Sequence, residues 1–214
     1  MTPEAVVLVH GLWVNGLYMS LLRMRLRNAG FEARQFSYPS VRSSPRSNAV
    51  ELNAFIQSLH AGTVHLVGHS LGGLVIRHLL NEFPGQRPGR VVTLGTPHRP
   101  SSAARSLARW LPGRMLLGEY LRGGLLGGLP PWPAQRELGC IAGTLRFGLG
   151  TVVPGIPQPS DGTVAVEETR LPEMRDHISF PVSHFGLLAS RRVAAAVAQF
   201  LRHGRFDHAG AAQR

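Results

Sequence analysis

The run TVHLVGHSLGGLVIRHLL, residues 63–80, constrains this 214-residue chain more than any other stretch. Its first half, TVHLV, is strand-like, and its second half, LVIRHLL, carries apolar residues at helical spacing. Only G-H-S-L-G, residues 68–72, separates them, so a strand must become a helix within a few residues. A turn that sharp forces the central Ser70 into strained backbone angles and leaves its hydroxyl at the sheet edge. Glycines at 68 and 72 remove the side chains that would keep the helix from closing on the strand. A chain with 25 glycines would produce such a pentapeptide about 0.2 times by chance, so its strand-to-helix setting carries the specificity. A phosphate loop is the competing reading, but the G-x-G-x-x-G spacing and the Walker lysine are both absent.

The rest of the chain repeats the strand-then-helix pattern, which predicts an α/β fold with a mostly parallel six-stranded sheet and helices on both faces. Strands are expected at 5–10, 31–37, 64–68, 90–94, 138–145 and 177–180. Helices are expected at 16–29, with Leu17, Leu21 and Met24 on one face, and at 48–59, with Leu52, Phe55 and Leu59. Two more follow at 71–82 and 185–203, the last turning Leu188, Val193, Val197 and Phe200 toward the sheet. Residues 98–133 lose this periodicity and read as a Gly-rich, lid-like insertion, a surface excursion or a mobile cover over an apolar pocket. One domain, 1–204, and a frayed tail, 205–214, account for the whole.

Composition excludes more than it identifies. The 23 basic residues are all arginine and give a formal charge of +11. They scatter along the sequence with no nucleic-acid motif, so a nucleic-acid partner is not expected, and weak attraction to anionic membrane surfaces is the most the charge supports. Cys140 is the single cysteine, which rules out an intrachain disulfide and suggests a buried thiol. MTPEAVVLVHGLW carries no basic leader and only a short apolar run, so the expectation is a cytoplasmic protein. No metal or cofactor is implied.

A serine at an elbow becomes a nucleophile only when an imidazole removes its proton and a carboxylate orients that imidazole. With a strand-to-helix elbow the acid and the histidine follow the serine in that order. His184 lies between the last strand and the last helix and is favoured over His177, inside the strand, and over His203 and His208 in the tail. The chain has three aspartates, Asp161, Asp176 and Asp207. Asp161, in a turn before His184, is the favoured acid, although Asp-Gly is also a common turn dipeptide. Asp176 is the alternative, with Glu167 and Glu168 behind it. The oxyanion needs two backbone N–H donors, assigned to Leu71 after the serine and Leu12 after the first strand, where Gly11 lets the chain bend. Trp13 would then line the substrate pocket.

VLVHGLW, LVGHSLGGLVIRHLL, VVTLGTPHRPS and SDGTVAVEETRL, in this order, resemble the α/β-hydrolases of the bacterial lipase and esterase group, including the GPI inositol-deacylase-like branch. The resemblance spans nearly the whole chain and implies cleavage of small acyl esters through an acyl-serine intermediate. It implies Ser70, Asp161 and His184 as the triad and Leu12 and Leu71 as oxyanion donors, and it makes His98, in the TPH segment, structural. A secretion signal, a cysteine pair and a calcium-site acid pattern are missing, which points to an intracellular esterase or lysophospholipase-like enzyme. Thioesterase or amidase chemistry with the same triad stays open, as does a non-catalytic lipid- or partner-binding role.

Overall fold

Strand β1 (Glu4–Val9) reads EAVVLV, and every side chain after Glu4 is buried. A strand with no polar face must be covered on both sides, and that requirement organises the architecture. In the computed structural model, which describes residues 4–12, 19–40, 43–147 and 155–209, β1 is joined by β2 (Glu32–Phe36), β3 (Thr63–His69), β4 (Val91–Leu94), β5 (Leu138–Gly143) and β6 (Asp176–Phe180). They form one six-stranded sheet in the order β2-β1-β3-β4-β5-β6, and every pairing in it is parallel.

The alternation along β1 divides the core. Ala5, Val7 and Val9 pack against α2 (Pro45–Gln57) and α3 (Gly72–Glu82) through Leu52, Ile56, Leu74 and Leu79. Val6 and Leu8 face α1 (Ser20–Asn28) and the C-terminal helices through Leu22, Leu26, Val193, Val197 and Phe200. Because the strand order reverses between β1 and β3, the loops leaving their carboxyl ends meet at a crevice, which is where open α/β sheets place their ligands.

Several boundaries differ from the sequence reading for local reasons. Helix α2 starts three residues earlier than the periodicity suggests, because the Ser44 hydroxyl accepts the Ser47 N–H at 3.1 Å and Pro45 opens the first turn. The expected final helix is two: α6 (Gly186–Ala189) and α7 (Arg191–His203), divided at Ser190, whose extended backbone and hydroxyl cap α7. The apolar face of α1 is corrected: Leu22 and Leu26 are buried, whereas Leu21 is 38% and Met24 50% exposed. Two apolar stripes offset by one residue run along SLLRMRLRN, and only packing against α7 and β2 selects between them. Leu17 lies outside the described residues.

The 98–133 segment forms α4 (Ser102–Leu107), α5 (Leu111–Leu117) and two irregular turns through Leu125. Tyr120, Leu117, Leu125 and Trp132 are buried in the core on the α2–α3 side. Its return leg is held to α3 by Asn81, which donates to the Pro131 carbonyl at 2.7 Å, and by Arg77, which donates to the Pro130 carbonyl. Among the described residues no helix is long and apolar enough to cross a membrane.

Truncating Leu22 to Ala is expected to cost about 2–5 kcal/mol, and truncating Leu21 at most about 0.5 kcal/mol, in urea unfolding. Equal costs would contradict the buried face described above.

Candidate active site

Ser70 follows β3 directly and has φ +53°, a left-handed conformation unusual for a residue with a side chain. Its backbone is fixed from three directions: Ser70 N–H donates to the Leu94 carbonyl at 2.8 Å, and its carbonyl accepts from Gly73 N–H at 3.1 Å and from the Thr96 hydroxyl at 2.8 Å. Leu71 then caps α3, with its N–H in the first turn, where no intrahelical acceptor exists. Glycine is required at position 72, since a Cβ there would overlap the Val9 carbonyl at the end of β1. On the facing loop a Cβ at Gly11 would lie 2.8 Å from the Ser70 Cβ, so the chain after β1 and the elbow after β3 are in direct contact.

Asp161 is 1% exposed, and both of its carboxylate oxygens are engaged. Oδ1 accepts the N–H groups of Thr163 and Val164, each at 2.8 Å, and Oδ2 lies 2.7 Å from His184 Nδ1. A carboxylate can only accept, so His184 carries a proton on Nδ1, and in the neutral ring the lone pair is on Nε2. His184 N–H also donates to the Asp161 carbonyl at 3.0 Å, which fixes the two residues to each other through main chain and side chain alike.

Ser70, His184, Leu71, Leu12 and Gly11 line one cavity of about 80 Å³. Its lining is largely apolar and includes Ala104, Leu107, Leu117, Leu125 and Val164, of which the three leucines come from the 98–133 segment. No hydrogen bond joins the Ser70 hydroxyl to His184 among the described residues; contacts of this kind tighten when substrate is bound. Trp13 lies outside the described residues.

The other candidate residues are elsewhere. Asp176 opens β6 and is therefore at the amino edge of the sheet, opposite Ser70, where it accepts from Phe206 N–H at 2.7 Å and His208 Nε2 at 2.9 Å. His177, beside it, bonds the Thr169 hydroxyl at 2.9 Å. His203 closes α7. Glu168 is a buried brace, accepting Ser102 N–H at 2.7 Å and Ala165 N–H at 3.2 Å, and Glu167 pairs at the surface with Arg99 and Arg170. His98 bonds the Thr93 hydroxyl at 3.0 Å, and burial raises the Cys140 thiol to about 12, leaving it unreactive.

His69, between Gly68 and Ser70, was not singled out by sequence reasoning. Its ring is 4.7 Å from the His184 ring, and its Nε2 donates to the His184 carbonyl at 3.0 Å. Its position as the first variable residue of the G-x-S-x-G motif was the available signal.

A model of the alpha/beta hydrolase family matches residues 6–212. The chain belongs to this family. A search of curated proteins returns no match. Among solved structures, this hydrolase resembles a Bacillus licheniformis lipase in mature form, with TM-score 0.75, 21% identity and coverage of 95% of this chain and 92% of that one. A metagenomic carboxyl esterase aligns with TM-score 0.70 and 16% identity over 86% of this chain and 65% of the other. A lipase-esterase related protein from Clostridium acetobutylicum aligns with TM-score 0.63 and 14% identity over 94% of each chain. At these identities the likeness establishes the α/β-hydrolase fold alone.

The buried imidazoles make stability pH-dependent. Burial, assisted at His69 by the adjacent His184, pushes His69 to about 3, and burial and Arg77 push His98 to about 3. In the unfolded chain both titrate near 6.5, so below that pH the unfolded state binds more protons and stability falls. Each ring therefore takes up a proton on unfolding below pH 6.5, so the melting temperature is expected to decline steadily as the pH falls toward 4. A flat profile there would contradict neutral burial of these rings.

Proposed function

We propose that this α/β hydrolase is a carboxylic ester hydrolase working through an acyl-serine intermediate. The observation that carries the reading is the buried 2.7 Å Asp161–His184 bond, opening with a strained Ser70 onto one apolar cavity. Ser70 Oγ attacks the ester carbonyl while His184 Nε2 accepts its proton; the imidazolium is stabilised by Asp161. The tetrahedral oxyanion receives the N–H groups of Leu71 and Leu12. Collapse expels the alcohol, which takes the proton from His184. Water, deprotonated by the same nitrogen, then attacks the acyl-serine and releases the acid.

A cavity of about 80 Å³ suits a short acyl group, given that an engineered cavity of roughly 150 Å³ holds benzene. The same groups would cleave a thioester or an amide, and kcat/KM on matched oxygen and sulfur esters separates those cases. The finer likeness to the GPI inositol-deacylase-like branch and a cytoplasmic setting rest on the sequence alone.

A fluorophosphonate probe should label the protein, and Ser70→Ala should abolish labelling and lower p-nitrophenyl ester turnover by several orders of magnitude. Turnover should favour acetyl and butyryl over decanoyl esters. Labelling unchanged in Ser70→Ala would sink the assignment, and no labelling at all would favour a non-catalytic role.

Weak contact with anionic lipid surfaces is part of this proposal on one observation: Trp110, Leu111 and Met115 are 54%, 69% and 72% exposed, beside the exposed Arg109 and Arg114. Anionic vesicles should therefore sediment the protein at low salt, and Trp110→Ser should weaken that. Equal sedimentation with neutral vesicles would remove the electrostatic part of the claim.

A further inference from the structure

His10 ends the turn of β1 into the candidate oxyanion loop, and its protonation is fixed by its partners. Tyr38 N–H, which can only donate, points at His10 Nε2 at 3.3 Å, so that nitrogen holds the lone pair. The proton is therefore on Nδ1, which donates to the Gly11 carbonyl at 2.9 Å. Burial keeps this ring below its usual titration range and hence neutral. In a trans peptide the carbonyl and the following N–H point in opposite directions. Holding the Gly11 carbonyl against His10 therefore turns the Leu12 N–H away from that ring, and Leu12 lines the Ser70 cavity.

The same ring is held in turn. Tyr38 stacks on His10 with centroids 4.3 Å apart and 14° between planes, and its hydroxyl donates to the His10 carbonyl at 2.6 Å. That bond uses the one phenolic proton of Tyr38. Tyr120 belongs to the 98–133 segment and is completely buried. Its oxygen accepts from Asn48 Nδ2, on α2, at 3.1 Å. Tyr120 lies close enough to Tyr38 for the two phenols to influence each other. Burial raises Tyr38 well above its usual value and Tyr120 to about 12, so neither phenol loses its proton under working conditions.

We propose that the hydrogen bonds among Tyr38, His10 and the Gly11 carbonyl set the orientation of the Gly11–Leu12 peptide, making His10 and Tyr38 positioning residues for the oxyanion donor. The inference rests on the esterase reading above, in which the Leu12 N–H meets the oxyanion.

Tyr38→Phe deletes one oxygen and keeps the ring, so packing is preserved. Loss of an entire oxyanion donor costs about 10²–10³ in kcat. A misaligned donor should cost less: about 10-fold in kcat for Tyr38→Phe, with little change in KM. The affinity of a boronic acid, which forms a tetrahedral adduct on the serine, should fall by the same factor as kcat. If kcat and boronate affinity stay at wild-type levels while only the melting temperature falls, these hydrogen bonds serve packing alone and the inference is overturned. A wild-type protein that the fluorophosphonate probe does not label would instead overturn the esterase reading. Labelled wild type with an unaltered variant overturns only this inference.

Discussion

Ser70 occupies a backbone conformation that a side chain disfavours, at a cost of about 1–3 kcal/mol, and such a residue persists only where its surroundings over-determine it. Here the surroundings are the β3–β4 ladder, which takes the Ser70 N–H at the Leu94 carbonyl, and the first turn of α3 with Thr96, which hold its carbonyl. Neither would exist if β3 were not central and covered on both faces. The apolar run that makes β3 a buried strand and the strain that presents the hydroxyl are therefore one design. The reversal of strand order beside β3 then brings the Gly11 loop within contact distance of the elbow.

The Asp161–His184 pair meets a different constraint. A carboxylate removed from water is costly unless its lone pairs are occupied. Asp161 is supplied with two backbone N–H donors from its own turn and one from the imidazole. The Asp-Gly turn and the acid assigned to chemistry are thus not competing descriptions: the turn geometry is what aims the N–H groups of Thr163 and Val164 at the carboxylate, leaving its other oxygen for His184.

How much of this was legible in the sequence follows from the range of each interaction. The strands and the elbow are written locally, in runs buried on both faces and in a glycine-flanked serine, and they were readable. Asp161 was preferred to Asp176 for its place in a turn between the fifth strand and His184; that Asp176 opens β6, and so lies at the far edge of the parallel sheet, emerges only from the strand's boundary. The face of α1 was not readable, because Leu21 and Leu22 lie on equally plausible stripes and the choice is made by α7 and β2, distant in sequence. The 98–133 segment has no period, so the burial of Tyr120 and Trp132 left no local trace. Its anchors, Arg77 and Asn81, reach backbone carbonyls some fifty residues away. The Ser-Pro pair that starts α2 was a local signal that a purely periodic reading passes over.

Three imidazoles crowd the candidate site, and their partners distinguish them. His10 has both nitrogens engaged, one by Tyr38 N–H and one by the Gly11 carbonyl. His69 spends its proton on the His184 carbonyl, and its remaining nitrogen is buried without a partner and held unprotonated by a pKa of about 3. His184 spends its proton on Asp161, and its Nε2 has no hydrogen-bond partner among the described residues while its ring lines the Ser70 cavity. Two rings are thus committed to holding loops, His10 the one after β1 and His69 the one carrying His184. Only the third combines a free lone pair, a carboxylate to stabilise its cation and access to the cavity, and that combination is what general-base chemistry at Ser70 requires.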